Sequence, residues 1–452
     1  MRLCDFFPIF SLYLLLPLIP IFLFLQALDY NLTPFILISR IAGIYAFVWY
    51  ALQFVVTARN RLVEWFAAQD RRIILHMLSA VGLLMIVVVH TSFGNDKYAS
   101  EIQAAAGGTA ETVFLWATIF SSLFFSNYFI RFIPVLIPYR DKVSAVLKLT
   151  HERCLLFHYA MPAGMVILVF HILLIPEQGL TTFKICMVTI ACSALSFFLY
   201  HKIILPGIMQ KYPWTVAKVL PESNSVVSLY FDPPPGRKLN HHAGQFCYLR
   251  LLNSDLSGQS HPFTISSGPE DEQIRITVKQ SGDFTTRLNN VTAKDLVCIN
   301  GAYGKFTYTR VASHHILVFI AGGIGITPML SMLKDLSIKD PKRNVILIWS
   351  ARHETDLIRL NDIRKLSHQM DNFIFEPVLS RAPQWKGTKG HIDKKTLLNV
   401  LNNHRCNMKL SNHFSEYEFF ICGPAQMENA VLQILKENKI SNHRIHTERF
   451  AF

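Results

Sequence analysis

Residues 315–328 read HILVFIAGGIGITP. An apolar run enters a glycine-rich turn, and Thr327 and Pro328 follow where a helix would begin. A strand, a glycine turn and a helix form the phosphate-binding arrangement of nucleotide-binding α/β folds. This stretch therefore predicts that the chain binds a nucleotide at the end of a buried strand.

Three further apolar runs repeat the pattern of a buried strand followed by a turn or a helical stretch. Residues 345–349 and 373–379 resemble buried strands, and residues 418–421 lead directly into Cys422-Gly423-Pro424. Strands that alternate with helical stretches favour a parallel sheet with its ligand at the carboxyl edge. We therefore predict an α/β parallel-sheet domain over residues 313–452.

The preceding stretch, residues 214–310, consists of short alternating segments broken by prolines, asparagine and glycines. This pattern predicts a small antiparallel β-barrel, which we assign to residues 211–312. Within it, residues 261–267 read HPFTISS, and an aromatic ring beside hydroxyls at a strand end can hold a flat ring with a polar edge. Residues 282–286, GDFTT, could present backbone N–H groups to a pyrophosphate.

Residues 1–210 contain six apolar segments near the roughly 20 residues that span a bilayer, namely 6–28, 34–57, 73–91, 112–137, 155–175 and 182–205. The first has only Arg2 before it and no small-residue cleavage site, so we expect a span and not a signal peptide. Cations cluster between the second and third segments and between the fourth and fifth. The positive-inside rule then predicts a six-helix transmembrane bundle with both termini in the cytoplasm, and the compact loops suggest a bacterial inner membrane.

Two histidine pairs stand in these segments. His76 and His90 lie fourteen residues apart in the third, and His158 and His171 lie thirteen apart in the fifth. In the predicted topology both segments run outward. His76 and His158 then form an inner pair, and His90 and His171 form an outer pair roughly 21 Å away. Two neutral imidazoles that face each other suit the axial positions of a haem. We therefore predict two stacked metal centres, although one histidine alone is more often a packing residue.

The helical phase differs between the two segments. Fourteen steps of about 100° return within about 40°, whereas thirteen steps miss by roughly 140° on a straight helix. Pro162 and Gly164 lie between His158 and His171. Because proline kinks helices, we predict that the fifth segment is distorted there.

The chain is basic, with 44 Lys+Arg against 31 Asp+Glu and a net charge of +13. Cationic membrane loops and an anionic cofactor explain this excess better than nucleic acid does. The eight cysteines show no CxxC spacing, so neither a disulfide framework nor a zinc site is implied. No calcium-binding loop and no partner-docking tail is evident, and we expect no obligatory protein partner.

In their order along the chain, these motifs resemble the ferredoxin–NADP reductase superfamily. Together with the six apolar segments, they resemble the NADPH oxidase and ferric reductase family of transmembrane flavocytochromes b. The resemblance implies cofactors FAD, two haems b and NADPH, with NADH as the alternative. It places haem iron on His76 with His158 and on His90 with His171.

The same resemblance implies the remaining site residues. FAD would contact His261, Pro262, Phe263, Thr264, Ser266 and Ser267, with the Thr264 hydroxyl near the reactive flavin nitrogen. The flavin site would continue through Val278, Lys279, Gly282, Asp283, Phe284 and Thr285. The dinucleotide would lie on Gly322, Gly323, Gly325, Thr327 and Pro328, with Cys422, Gly423 and Pro424 beside the nicotinamide and Phe452 covering the flavin.

Two assignments stay open from the sequence. Arg352, Ser380 and Arg381 follow strand ends, where related reductases bind the 2′-phosphate of NADPH, and arginine suits phosphate. Arg40 resembles the family arginine near the outer haem, where O2 is reduced to superoxide, but it could equally serve a ferric-chelate reductase. Gly94 stands where the oxidases often have a second histidine. A haem-free proton channel or sensor is a remote alternative that would not need the flavin motif.

Overall fold

The computed structural model describes residues 7–27, 33–58, 60, 63–64, 69–94, 100–124, 133–147, 157–175, 179–252, 259–408 and 416–449. The chain divides into two compact units, Met1–Pro206 and Gly207–Phe452. Each unit has its own hydrophobic core and is described separately.

Helices make up the first unit. They are α1 (Phe7–Leu15), α2 (Leu18–Gln26), α3 (Pro34–Val56), α4 (Gln69–Phe93), α5 (Glu101–Phe124), α6 (Ile137–Val146), α7 (Met161–Leu173) and α8 (Thr181–Leu199). A π-helical turn, Tyr200–Ile204, connects α8 to α9 (Leu205–Lys211) across the boundary between the units. α3 is the central helix, since it packs against α4 and α8 and contributes many of the buried residues.

Four helical stretches in the described residues are long and apolar enough to cross a membrane. They are Ile9–Gln26, Pro34–Val56, Arg72–Phe93 and Thr181–Lys211, and Met161–Leu173 is a shorter apolar helix. These helices agree with the first, second, third, fifth and sixth predicted segments. The bundle of six spans remains a prediction.

The fourth predicted segment was placed wrongly at its start. We expected it to begin at residue 112, whereas α5 begins at Glu101 and includes Gly107 and Gly108. Ala104, Ala105 and Ala106 favour a helix, and an acidic residue is favourable at a helix N-terminus. Near the predicted end, a separate 3₁₀ turn begins at Pro134.

The predicted distortion of the fifth segment is confirmed. Phe157 and His158 are helical, Tyr159 and Ala160 form a turn, and the helix α7 begins at Met161. Pro162 stands in the first turn of α7, where its missing N–H costs no helical hydrogen bond. The two histidines of this segment therefore do not share one straight helix.

The second unit begins with an antiparallel sheet. Its strands are β1 (Trp214–Ser223), β2 (Val226–Asp232), β3 (Phe246–Leu251), β4 (His261–Thr264), β5 (Ile274–Lys279) and β6 (Leu296–Tyr303), in the order β4-β3-β6-β1-β2-β5. An antiparallel bridge between Ile265 and Ile276 joins the two edges. The strands thus curl into the predicted barrel around an apolar core.

A parallel sheet follows, in the order β10-β9-β8-β7-β11-β12. Its strands are β7 (Ile316–Gly322), β8 (Val345–Ala351), β9 (Phe373–Leu379), β10 (Thr388–Lys389), β11 (Tyr417–Cys422) and β12 (Ile445–Glu448). The accompanying helices are α11 (Thr327–Lys339), α12 (Leu360–Gln369), α13 (Lys394–Met408) and α14 (Ala425–Glu437), whereas the short helix α10 (Asp283–Arg287) lies between β5 and β6 of the antiparallel sheet. Every residue of β7 is buried, because alternate side chains enter the core on opposite faces of the sheet.

Candidate functional site

The four predicted histidines meet in two pairs. The ring centroids of His76 and His158 are 6.0 Å apart with an interplanar angle of 81°. Those of His90 and His171 are 6.4 Å apart at 85°. The structure therefore brings together the inner and the outer pair as the sequence predicts.

Each of these rings is oriented through its Nδ1 atom. The Nδ1 atom of His90 contacts the Ser39 carbonyl oxygen at 2.8 Å, and that of His171 contacts the Gln103 carbonyl oxygen at 2.8 Å. Because a carbonyl only accepts, both rings carry their proton on Nδ1 and keep the lone pair of Nε2 for a metal.

The inner pair has side-chain partners instead. His76 Nδ1 contacts Gln53 Oε1, and His158 Nδ1 contacts Ser121 Oγ at 3.0 Å. In metal-bound histidines, a hydrogen bond from the ring nitrogen that does not bind the metal fixes the tautomer and the ring orientation. Sequence reasoning missed all four partners, which lie on α3 and α5 beside the histidine-bearing segments.

Two glycines give the outer rings access to the main chain. Gly43 lies four residues after Ser39, and Gly107 lies four residues after Gln103. A Cβ atom at Gly43 would lie 2.9 Å from the His90 ring, and one at Gly107 would lie 2.9 Å from the His171 ring. The glycines themselves are the sequence signal that could have pointed to these contacts, because a glycine within a helix leaves room for a ring from a neighbouring helix to approach the main chain.

The paired imidazoles fit a haem better than a tetrahedral metal. In the described residues, no group of three or more His, Cys, Asp or Glu side chains is placed to hold an ion. Two nitrogen–metal bonds of about 2 Å, together with the distance from each nitrogen to its ring centre, span about 6 Å. This agrees with both centroid distances, so each pair has room for one iron atom between its rings.

Arg40 follows Ser39, whose carbonyl orients His90, so it stands at the level of the outer pair. Its guanidinium carbon lies 5.9 Å from the centre of the Phe24 ring. The face of this aromatic ring attracts the guanidinium cation electrostatically within the apolar bundle. Its role at an acceptor site remains a prediction.

The two predicted flavin motifs converge in the second unit. The rings of His261 and Phe284 are 4.0 Å apart, and Phe263 stacks near Phe284 at 6.1 Å. Pro262 is exposed, whereas Thr264 at the end of β4 is 6% exposed. Among the described residues, the Thr264 hydroxyl has no hydrogen-bond partner. A buried hydroxyl without a partner fits a site that a polar cofactor edge completes.

Ser266 and Ser267 are both enclosed by the protein. The Ser266 hydroxyl contacts Thr277 Oγ1 at 3.0 Å and the Arg275 carbonyl oxygen at 3.1 Å. The Ser267 hydroxyl accepts from the Arg275 N–H, and its carbonyl accepts from the Ser331 hydroxyl at 2.6 Å. The two serine hydroxyls therefore hold the motif in place, and a contact of these residues with FAD remains a prediction.

The segment predicted for the pyrophosphate forms the five-residue helix α10. The Thr285 hydroxyl accepts from the N–H groups of Ser281 and Gly282 at 2.9 and 3.0 Å. Two of the donors expected for the pyrophosphate therefore already have a protein partner. Gly282 and Asp283 are exposed, and a Cβ atom at Gly282 would have no neighbour within 4 Å. Val278 is buried and Lys279 is exposed at the end of β5.

The glycine turn after β7 packs against the Cys422-Gly423-Pro424 loop. A Cβ atom at Gly325 would lie only 2.1 Å from the Cys422 carbonyl oxygen, and one at Gly322 would lie 2.7 Å from Pro424. Because β7 and β11 pair in parallel, both loops leave the sheet at the same carboxyl edge. Gly323 has a φ of +53°, which suits glycine, and open space beside it.

Three residues predicted to contact the dinucleotide are buried, namely Thr327, Pro328 and Cys422. Thr327 is buried, and its hydroxyl donates to the Ile324 carbonyl at 3.1 Å, so it closes the turn instead of reaching outward. Pro328 is also buried at the start of α11. Burial raises the pKa of the Cys422 thiol well above its ordinary value, and Glu448 and Glu428 raise it further. Cys422 is therefore a neutral thiol that packs, and its position beside a nicotinamide remains a prediction.

The predicted 2′-phosphate residues lie together. Arg352 follows β8 and Arg381 follows β9, and the Arg381 N–H donates to the Arg352 carbonyl at 2.8 Å. Both arginines are exposed, and the Ser380 N–H donates to the Ala351 carbonyl at 3.0 Å. The carboxyl edge of the sheet thus carries two neighbouring cations. Phe452 lies outside the described residues.

Comparisons with known proteins match the second unit. A family model described as an FAD-binding domain matches residues 209–324, and one described as an oxidoreductase NAD-binding domain matches residues 319–433. A flavohemoprotein of Halalkalibacterium halodurans is 26% identical over 258 residues, and one of Bacillus subtilis is 28% identical over 248 residues. Each alignment covers 53% of this chain and 59% of the relative, so the chain spans less than two thirds of their length.

One similar solved structure is a ferredoxin NADP+ reductase from Neisseria gonorrhoeae with bound FAD and NADP. The likeness covers 53% of this chain and 98% of that chain, at 21% identity and a TM-score of 0.46. The two matched domains agree with the antiparallel and the parallel sheet described above. The chain therefore carries an FAD-binding domain over residues 209–324 followed by an oxidoreductase NAD-binding domain over residues 319–433, which together form a flavin- and NAD(P)-dependent reductase module.

Proposed function

We propose that this protein is a transmembrane oxidoreductase that moves electrons from cytoplasmic NADPH to an acceptor on the other side of a membrane. FAD would accept a hydride from NADPH, and two haems b would carry single electrons onward. The proposed domains are residues 1–210 for the haems, 211–312 for FAD and 313–452 for NADPH. The observation that carries the proposal is the convergence of four histidines into two facing pairs within an apolar helical unit.

The remaining residues have roles that agree with this path. His76 with His158 and His90 with His171 would hold the two irons through Nε2. The Thr264 hydroxyl, with no described partner, would bind the edge of the flavin, and His261 and Phe284 would pack beside it. The open space beside Gly282 and Gly323 gives room for phosphate groups to approach the main chain.

Two exposed arginines favour NADPH over NADH. Arg352 and Arg381 lie at adjacent strand ends on the carboxyl edge, where the ribose of a dinucleotide would lie. A guanidinium group binds phosphate through two parallel hydrogen bonds, so the pair suits a 2′-phosphate.

For the acceptor, we propose O2, which one electron reduces to superoxide. Arg40 at the level of the outer pair would favour an anionic product there. Reduction of ferric chelates by the same path is the second candidate. Gly94 favours it, because this position lies against the His90 carbonyl and offers no second imidazole for oxygen. α4 ends at Phe93 and α5 begins at Glu101, so the segment that joins these two helices is short.

Parallel assays of the purified full chain test the proposal. Given NADPH, the protein should reduce O2 in a superoxide-dismutase-sensitive assay faster than it reduces Fe(III) chelates. The opposite ratio would favour the ferric reductase. His158→Leu should lose mainly the inner haem and abolish both activities, whereas the flavin should still accept electrons from NADPH. If neither acceptor is reduced although the flavin is, the proposed path is wrong.

A further inference from the structure

Gln53 differs from the other described partners of the four imidazoles. It lies on α3, is 7% exposed, and contacts His76 through Oε1 and Ser79 through Nε2. The nearest partners of the two outer rings are main-chain carbonyls, with the Ser39 hydroxyl oxygen also 3.2 Å from His90 Nδ1, and His158 contacts a serine hydroxyl. Among the described contacts of the four rings, that of His76 is the one with a side-chain amide that another side chain holds in turn.

Ser79 fixes which way this amide points. The Ser79 hydroxyl donates to the Leu75 carbonyl at 2.6 Å, so its lone pairs are available to accept from Gln53 Nε2 at 2.8 Å. The amide oxygen must then face His76, where it can only accept. His76 accordingly donates from Nδ1 and directs the lone pair of Nε2 toward its partner ring.

Burial strengthens this chain of hydrogen bonds. Ser79 is 6% exposed and Gln53 is 7% exposed, so water does not compete for either group. A ligand imidazole that donates from its second nitrogen becomes a more basic ligand, and a more basic ligand stabilises the oxidised metal. The strength of the acceptor at Nδ1 thus acts directly on the electron affinity of the centre.

We propose that Gln53, oriented by Ser79, is a positioning residue that sets the redox potential of the inner centre separately from that of the outer centre. The proposal rests on the proposed function, since it assumes that the inner pair binds a haem. At the outer level the nearest acceptors are the main-chain carbonyls of Ser39 and Gln103, which remain whatever side chain stands at those positions, and the Ser39 hydroxyl oxygen is a more distant neighbour of His90 Nδ1 at 3.2 Å. The main acceptor of the inner His76 is therefore a side chain that a substitution can change, whereas the main acceptors of the outer rings belong to the backbone.

Potentiometric titration of the purified full chain, followed at the haem absorption bands, tests this inference. His158→Leu first identifies which of the two midpoints belongs to the inner centre. Gln53→Glu places a carboxylate, a stronger acceptor, beside His76 and should lower the inner midpoint. Gln53→Leu removes the acceptor, so it should raise the inner midpoint and weaken haem retention there about 10- to 100-fold.

Two further variants separate orientation from general damage. Ser79→Ala frees the amide to rotate and should shift the inner midpoint in the same direction as Gln53→Leu, by less. Thr57→Val is the matched control, because the Thr57 hydroxyl donates to the main-chain carbonyl of Gln53 at 3.0 Å and leaves the amide untouched. It should move neither midpoint.

The outcomes are distinguishable. A wild-type protein that binds no haem overturns the proposed function itself. A wild-type protein with two haems whose inner midpoint stays unchanged in Gln53→Glu and Ser79→Ala overturns the inference alone. A shift of the outer midpoint in these variants would also overturn it. If a Gln53 variant does not fold, the Ser79→Ala titration decides.

Discussion

The absence of a side chain at Gly107 lets the His171 ring take its position. The His171 imidazole reaches the Gln103 carbonyl across the turn of α5 on which Gly107 lies, and any Cβ atom there would be 2.9 Å from the ring. Gly108, the next residue, has open space around it. Two adjacent glycines of one helix therefore have opposite steric demands.

These demands give a matched pair of variants. Gly107→Ala should displace the His171 ring and lower the retention of the outer haem about 10- to 100-fold, because the orienting hydrogen bond is lost. Gly108→Ala should bind both haems normally and stabilise α5 by up to about 1 kcal/mol. Haem content per chain and thermal unfolding measure the two effects. Equal haem loss in both variants would contradict the steric role of Gly107.

Thr264 gives a second prediction at this scale. Thr264→Val removes a buried hydroxyl that has no partner among the described residues, so stability should stay the same or rise. The rate at which NADPH reduces the flavin should nevertheless fall about tenfold, which corresponds to one hydrogen bond of about 1.4 kcal/mol. Stopped-flow flavin absorbance measures this rate. Thr264→Ser keeps the hydroxyl and should restore it; a slow Thr264→Ser protein would remove the assigned role.

Individual residues show where sequence reasoning ends. The four histidines were predicted because imidazoles in apolar segments are rare and were spaced at matching depths. Gln53 and Ser121 were missed, since one polar residue on a helix carries no signal until its neighbours in space are known. The internal hydrogen bonds of Ser266 and Ser267 were missed for the same reason, because a hydroxyl near a flavin motif can equally bond to its own fold.

At the scale of elements, the residues proposed to bind the dinucleotide lie together at the carboxyl edge of the parallel sheet. The ends of β8 and β9 lie side by side, so Arg352 and Arg381 share one surface although 29 positions separate Ala351 from Ser380. The parallel order of these strands, which short apolar runs predicted, is the cause of this proximity.

This arrangement predicts how the chain distinguishes its electron donors. Arg381→Gln and Arg352→Gln should each raise the KM for NADPH about tenfold or more, because a charge-assisted hydrogen bond contributes roughly 1.5–3 kcal/mol. The KM for NADH should stay within twofold, since NADH has no 2′-phosphate. Steady-state kinetics with both donors measure the ratio. An equal rise for NADH would assign these arginines to another part of the site.

Elements were predicted well where one pattern dominated and poorly where two competed. The strand, glycine turn and helix at residues 316–339 were predicted, because apolar burial and turn chemistry agree there. The start of α5 was not, because Gly107 and Gly108 resemble a loop. Packing of Gly107 against His171 outweighs the low helix propensity of glycine, and this contact is invisible in a single sequence.

For the whole molecule, the division into two units follows from composition. Apolar runs concentrate before residue 206, and short strands with charges follow, as the boundary between Pro206 and Gly207 reflects. The first unit would hold the metals and the second the flavin and the nicotinamide. Electron transfer through the whole chain requires both, so their cofactors should occur in fixed proportion.

An absorption spectrum of the purified full-length protein tests the central claim most directly. The reduced-minus-oxidised spectrum should show low-spin haem b bands, with two haems and one FAD per chain. A preparation that contains flavin but no haem, although folded, would contradict the account.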